Sequence, residues 1–90
     1  MPHVLVRHPV NDYDVWRREL DAAFEGRKKS GEVSFRLFSG SDNPLLIVGL
    51  FEWDSLENAK AFFESPGLRE IMAAAGVVGE PDIHYLKSIS

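Results

Sequence analysis

The segment LLIVGLFEW, residues 45–53, constrains the fold of this chain more than any other stretch. It is bounded by turn residues and is predicted to be a strand, and apolar residues occupy both of its two sets of alternate positions. Its apolar side chains divide between two faces, with Leu46, Val48 and Leu50 on one and Ile47, Phe51 and Trp53 on the other. A strand with two apolar faces has to be covered on both sides.

Three further segments are predicted strands. Residues 3–8 are rich in valine and lie between two prolines, residues 32–40 read EVSFRLFSG, and residues 82–89 read DIHYLKSI. In the second of these segments, alternation predicts that Val33, Phe35 and Leu37 share one face.

Residues 11–31 predict one helix that Asn11 or Asp12 caps and Gly31 closes. Its apolar stripe consists of Trp16, Leu20, Ala23 and Phe24. The basic run at 27–29 falls where this helix ends, and we interpret it as complementing the helix dipole.

A second helix is predicted after the sequence DSLE, residues 54–57, which has the form of a capping box. Its apolar stripe consists of Leu56, Ala59, Phe62 and Phe63. Ser65 and Pro66 predict the start of a short extra helix that runs towards Gly76.

The element order β-α-β-β-α-β predicts a ferredoxin-like α+β fold with a four-stranded antiparallel sheet. The chain has 90 residues, so we expect a single domain over residues 1–90. The helices of this fold cover only one face of the sheet. We therefore predict a homodimer in which the sheet of a second subunit covers the other face.

Composition narrows the classes of function. The 14 acidic residues outnumber the 10 basic ones, which argues against a nucleic-acid partner. The chain has no cysteine, so disulfides, thiolate metal sites and a cysteine nucleophile are excluded. We expect no signal peptide, no membrane partner and a cytoplasmic location, since no apolar run approaches the length of a membrane span.

Two stretches resemble a known group, namely VRHPVNDYDVWRREL at 6–20 and LFEWDSLENAKAFFESPGLREIM at 50–72. They are similar to the dimeric α+β barrel superfamily, in its antibiotic biosynthesis monooxygenase-like family. The resemblance implies that two ferredoxin-like sheets pack as a dimeric α+β barrel, with a pocket between sheet and helices in each subunit. Some members oxidise aromatic polyketides without metal or flavin, others degrade haem, and others are isomerases, decarboxylases or cyclases.

The haem-degrading members have an asparagine in the first strand, a tryptophan in the helix after the third strand and a histidine in the short helix beyond. The matching positions here are Val6, Phe62 and Met72. None of the three functional side chains is present, which argues against haem degradation, and we expect no cofactor.

His8 is the candidate catalytic base. It shares parity with Val4 and Val6, the side that we place under the helices. A neutral imidazole there would take a proton from a phenol or an enol. The alternative is a structural histidine that bonds a backbone carbonyl at the strand end.

Other residues are candidates for substrate binding. One of His84 and Tyr85 has to face the pocket, because side chains alternate along a strand. Trp16, Phe62 and Phe63 either line the pocket or fill a plain core. Arg36 either binds an anionic group or pairs with an acid across the dimer. No metal site is expected, since His3 and His8 have opposite parity.

Two functions remain open. The first is a cofactor-independent monooxygenase acting on a small aromatic or enolic metabolite. The second is a non-catalytic small-molecule-binding or structural homodimer. An enzyme of the first kind needs an internal cavity of roughly 300 Å³ or more, so the volume between sheet and helices separates the two.

Overall fold

The fold comprises four strands and four helices. The computed structural model describes residues 1–90. The elements in chain order are β1 (His3–Pro9), α1 (Tyr13–Ala22), α2 (Phe24–Ser30), β2 (Glu32–Ser39), β3 (Leu46–Trp53), α3 (Leu56–Phe63), α4 (Leu68–Ala74) and β4 (Asp82–Leu86). No helix is long and apolar enough to cross a membrane.

The strands form one antiparallel sheet in the order β2-β3-β1-β4. This is the ferredoxin-like α+β arrangement, so the predicted fold is confirmed. The register places Leu5 of β1 opposite Leu50 of β3 on one side and opposite His84 of β4 on the other. These three side chains therefore share one face of the sheet.

The helices pack on the opposite face, where the core lies. Residues of β1 and β3 alternate between buried and less buried, and the buried set includes Val4, Val6, Ile47, Phe51 and Trp53. Trp53 is fully buried, with its ring 5.2 Å from that of Phe62 and 5.6 Å from that of Phe63. Trp53 thus joins β3 to α3 inside the subunit.

The prediction of a single helix over residues 11–31 is wrong in one respect, because the chain forms two helices there. The break falls at Ala23, whose backbone adopts φ −88° and ψ 0°. Its amide N–H is shared between the carbonyls of Glu19 and Leu20, a tightened last turn. The new direction leaves Phe24 37% exposed, so this residue lies at the edge of the core instead of inside it.

Gly31 closes α2, as the sequence predicts, with φ 124°. Any side chain is strained at this φ, and a Cβ there would also lie 2.4 Å from a carboxylate oxygen of Asp54. The backbone amide of Asp54 donates to the carbonyl of Gly31, which ties the start of β2 to the end of β3.

The alternation predicted for β2 is wrong at its first residues. A β-bulge between Glu32 and Ser34 shifts the register against β3. An extra residue in one strand reverses which side chains face inwards on either side of it. Val33 is consequently 51% exposed, whereas Glu32 is 6% exposed and faces the core.

Side chains cap two of the helices. Asp12 accepts a hydrogen bond from the amide of Val15 at the start of α1, and Ser55 accepts one from the amide of Asn58 at the start of α3. Ser65, at the predicted start of the short extra helix, does not cap α4. Its hydroxyl donates to the carbonyl of Phe62, and α4 follows Gly67 without a side-chain cap.

No helix covers the other face of the sheet, the open face. It carries three apolar residues of β3 at half-buried positions and, from β2, Phe38, which is 46% exposed. Arg7 and Asp82 form an exposed ion pair of 3.2 Å on the same face. The three half-buried residues of β3 are Leu46, Val48 and Leu50.

Candidate functional site

A mostly apolar cavity of about 100 Å³ lies between the sheet and the helices. The sheet contributes Val6, Gly49 and Phe51 to it, while Leu20 and Met72 approach from the helices. A volume of this size holds several water molecules. It is well below the ~300–1,000 Å³ of ordinary ligand pockets.

His8 is one of the polar groups in the cavity wall. Position 8 falls on the helix-covered face because it shares parity with the buried Val4 and Val6. The side chain is 4% exposed and lies edge-on to Trp16, with ring centroids 5.8 Å apart. Its Nδ1 atom is buried and has no hydrogen-bond partner in the chain.

Burial sets the protonation state of His8. Removing an imidazole from water disfavours its charged form, and this desolvation lowers the pKa of His8 below its usual value of 6.5, although backbone groups of Pro9 and of His8 itself partly oppose the shift. The ring is therefore neutral at neutral pH, so one of its nitrogens is free to accept a proton.

Arg27 is another polar residue of the cavity wall, which Glu19 also lines. It is 4% exposed and its Nε donates to Oε1 of Glu32 at 2.7 Å. Its Nη1 donates to the carbonyl of Leu20 at 2.6 Å. The guanidinium carbon lies 5.4 Å from the ring centre of Phe35 and 5.9 Å from that of Phe51. The remaining nitrogen, Nη2, is buried without a partner.

Glu32 balances the charge of Arg27 and is itself incompletely paired. Its Oε2 atom is buried without a partner. Burial raises the pKa of Glu32 above its usual value, and the nearby guanidinium of Arg27 opposes that rise. Arg27, which lines the cavity, and Glu32 behind it thus form a buried ion pair in which one donor and one acceptor have no partner.

Gly49 forms part of the cavity floor at the centre of β3. A Cβ at this position would lie 2.6 Å from the ring of Phe51, which leans over the glycine. The absence of a side chain at Gly49 therefore leaves room for the Phe51 ring in the cavity wall.

The wall formed by α4 is the least tightly packed. Leu68, Ile71 and Met72 line the cavity, yet no residue of α4 is buried. Ile71 is 59% exposed. Segments with little buried apolar surface open at a lower free-energy cost than the core, so α4 is the wall that yields most readily.

The structure brings together four of the predicted site residues at this cavity, namely His8, Trp16, Phe62 and Phe63. The three positions compared with the haem-degrading members line it as well, since Val6 and Met72 join Phe62 there. The sequence therefore placed these side chains on the helix-covered side of the sheet, and their role in function stays a prediction.

Three predicted site residues lie elsewhere. His84 shares the open face with Leu5, to which it is paired. Arg36 is exposed on the same face, where its guanidinium stacks 5.2 Å from the ring centre of Phe38. Tyr85 faces the helices but lies outside the cavity wall.

Tyr85 borders a separate open groove of about 370 Å³ together with Glu64 and Arg69. Its hydroxyl donates to Oε2 of Glu64 at 2.9 Å. Desolvation and the neighbouring carboxylate raise the pKa of Tyr85 to about 12. The phenol therefore stays protonated and acts as a donor within this groove.

No group of three or more His, Asp or Glu side chains lies close enough to hold a metal ion. The histidines are divided between the two faces of the sheet, with His3 on the open face opposite Glu52 and His8 inside the cavity wall.

Sequence reasoning missed Arg27 and Glu32. Arg27 does lie in the last turn of a helix, as predicted, but it is buried instead of solvated. One signal was present: an arginine and a glutamate flank the helix-closing Gly31 at a separation of five residues. The bulge that turns Glu32 inwards had no visible signature in the sequence.

No protein-family model matches the chain, and no curated protein matches it. Solved structures do match. One is described as a putative antibiotic biosynthesis monooxygenase from Bordetella bronchiseptica. It aligns with a TM-score of 0.79 at 13% identity, covering 99% of this chain and 97% of that one. SnoaB, a cofactor-independent oxygenase from Streptomyces nogalater, aligns with a TM-score of 0.78 at 13% identity, covering 99% and 93%.

A third structure is the monooxygenase from the ActVA-Orf6 gene of Streptomyces coelicolor in complex with nanaomycin D. It aligns with a TM-score of 0.67 at 19% identity, covering 99% of this chain and 88% of that one. At these identities the likeness establishes the fold, whereas the chemistry of the site has to be argued from the residues of this chain. The chain therefore has the fold of the antibiotic biosynthesis monooxygenase structures.

Proposed function

We propose that this protein is a cofactor-independent monooxygenase that acts on a small aromatic or enolic metabolite. The observation that carries the proposal is His8, a neutral histidine whose Nδ1 has no partner and whose ring borders an apolar cavity. SnoaB is described as a cofactor-independent oxygenase, and its similar fold supports the same reading here.

His8 would act as the general base. It removes the proton of a phenolic or enolic hydroxyl, which leaves an electron-rich anion on the ligand. That anion donates electrons to dioxygen, and a carbon–oxygen bond forms. Loss of water then leaves a carbonyl on the ligand. One oxygen atom of dioxygen enters the product, the other leaves as water, and the ligand supplies the two hydrogens of that water.

The apolar wall would assist this step. Charges interact more strongly where water is excluded, so the imidazolium formed from His8 and the anion of the ligand stabilise each other as a pair. Trp16 shields His8 on the side of α1. A ligand anion in bulk water would lack this partner.

The second candidate is a non-catalytic small-molecule-binding or structural homodimer. The cavity volume of about 100 Å³ favours it, because an aromatic metabolite needs more room. The proposed oxygenase therefore requires α4 to move outwards when a ligand enters. Its three cavity-lining residues and its lack of buried side chains fit such a movement.

We also propose that the protein is a homodimer through the open face. The half-buried Leu50 and the 46% exposed Phe38 leave apolar surface there that a second sheet would cover. The cytoplasmic location predicted from the sequence stays a prediction.

A labelling experiment tests the proposed function. The purified protein is treated with a metal chelator and incubated with small phenols and enols under isotopically heavy dioxygen. We expect one heavy oxygen atom in the product for each dioxygen consumed. Binding of such compounds without any product would favour the non-catalytic dimer.

A further inference from the structure

The cavity and the open groove beside Tyr85 share part of a wall. Phe63 lines the cavity on one side and the groove on the other. Leu68, the first residue of α4, lines the cavity, whereas the next residue, Arg69, lines the groove. Phe63 and the start of α4 therefore lie between the buried cavity and a groove that is open to solvent.

Phe63 is the fixed part of this shared wall. Its side chain is 7% exposed, and its ring centre lies 5.0 Å from that of Phe62, 5.6 Å from that of Trp53 and 6.0 Å from that of Phe51. Displacing Phe63 would disturb the packing of the core, which is costly. The start of α4 is therefore the part of the wall that can move.

The two ends of α4 are held differently. At its end, Ala75 and Val77 are 5% and 9% exposed, and the amide of Asn11 donates to the carbonyl of Gly76. At its start there is no side-chain cap, and a Cβ on Gly67 would meet no atom within 4 Å. The end of α4 is thus anchored in the core, while its start lies free at the groove.

Glycines flank α4 on both sides. Gly67 has φ 89° and Gly76 has φ 92°, in the left-handed region that glycine adopts without strain. Hinges in proteins are a few residues at the ends of elements that absorb a change in backbone angles. These positions suit a pivot at Gly76 and a swing at Gly67.

One ion pair ties the free start of α4 to the rest of the fold. Nη1 of Arg69 donates to the carboxylate of Glu80, in the loop before β4. The two side chains are 54% and 85% exposed. An exposed ion pair stabilises only weakly and is screened by salt, so this contact holds the wall closed without preventing its opening.

We propose that the groove is the entrance to the cavity and that the ion pair of Arg69 and Glu80 is its latch. When the pair breaks, α4 pivots at Gly76, its start lifts away from Phe63, and a small molecule passes from the groove into the cavity. This goes beyond the proposed function, because it concerns how any small molecule reaches the cavity and holds whether or not oxygenation follows.

A cross-link across the latch tests the entrance. The chain has no cysteine, so Arg69→Cys/Glu80→Cys introduces the only thiols. A short bismaleimide joins the two thiols, and N-ethylmaleimide caps them singly in the matched control. The probe is phenol, and its association rate is measured from the nuclear magnetic resonance signals of Trp16, which lines the cavity. We expect the linked protein to take up phenol about 10-fold more slowly, or slower still, than the capped one, because binding requires the wall to move.

A single variant tests the latch. Arg69→Met removes the ion pair and should raise the association rate of phenol about 2- to 5-fold, the range for loss of an exposed pair. Salt at about 1 M should have the same effect on the unmodified protein and little effect on the variant. Arg17→Met removes the exposed pair with Asp21 on α1 and should leave the rate unchanged.

The entrance is overturned if the linked and capped proteins take up phenol at the same rate, or if phenol does not reach the cavity of the unmodified protein. The latch is overturned if Arg69→Met leaves the association rate unchanged, or if Arg17→Met raises it equally. The rates are measured without dioxygen. A protein that admits phenol through the groove but consumes no oxygen in air would therefore keep the entrance and lose the oxygenase.

Discussion

His8 on β1 packs edge-on against Trp16 on α1, with their ring planes inclined by 68° and their centroids 5.8 Å apart. Both residues line the cavity, and the contact helps to keep the imidazole out of water. The first strand and first helix thereby set the protonation state of the one histidine that borders the cavity.

The pKa of His8 should lie below 6.5, because burial disfavours its imidazolium form. The unfolded chain then binds more protons than the folded one between the folded value and about 6.5, and stability falls as the pH is lowered through that window. His8→Gln should remove this dependence. Nuclear magnetic resonance titration gives the pKa, and urea unfolding at several pH values gives the slope.

Comparing His8→Gln with the unmodified protein at each pH cancels the contribution of Glu32, whose pKa is raised by burial. A pKa of His8 above 6.5 would contradict the assignment of a desolvated, neutral base. Equal pH slopes in the two proteins would contradict it as well.

Breaking the buried pair of Arg27 and Glu32 should be costly. Arg27→Met leaves a buried carboxylate unpaired, so we expect a loss of about 3–5 kcal/mol in the free energy of unfolding. Arg17 forms an exposed ion pair with Asp21 one turn along α1, and Arg17→Met should cost at most about 0.5 kcal/mol.

The double variant Arg27→Met/Glu32→Met should recover most of the loss, because no charge is left without a partner. Urea unfolding of the unmodified protein, the two single variants and the double variant gives the four free energies of unfolding. A double variant as unstable as Arg27→Met would show that packing of the arginine, and not its charge, stabilises the fold.

Trp53 should prove to be a packing residue. It is fully buried against Phe62 and Phe63, and its Nε1 has no hydrogen-bond partner. Trp53→Ala should cost about 3–5 kcal/mol of stability through loss of apolar contacts. Trp53→Phe gives up no hydrogen bond and should cost less than half as much in thermal or urea unfolding.

The open face should be the dimer interface. Leu50 lies at its centre, between Leu5 and Arg36 in the register. Leu50→Lys would bury a charge at that interface, so the protein should change from the mass of two chains to that of one in light scattering. Leu56, 45% exposed on α3, supplies the control, and Leu56→Lys should stay dimeric. A monomeric unmodified protein at micromolar concentration would refute the interface.

The sequence was informative wherever a local pattern decides structure. Periodicity and capping chemistry predicted the two apolar faces of β3 and the helix starts near residues 11–12 and 54–55, and the structure identifies Asp12 and Ser55 as the caps. Parity alone put His8 on the helix-covered face, because β1 is regular.

Long-range pairing decided what the sequence left open. Alternation required His84 and Tyr85 to face opposite ways, but only the register with Leu5 and Val4 showed that Tyr85 faces the helices. The bulge after Glu32 depends on pairing with β3, so the burial of that carboxylate and of Arg27 was not predictable from the local pattern.

Oxygen consumption by the His8→Gln variant tests the central claim most directly. Uptake is followed with an oxygen electrode for a phenol or enol that the unmodified protein turns over, in the presence of a metal chelator. Loss of the general base should lower the rate about 100-fold or more, while His3→Gln, on the open face, should leave it unchanged. An unchanged rate in the His8→Gln variant would contradict the account.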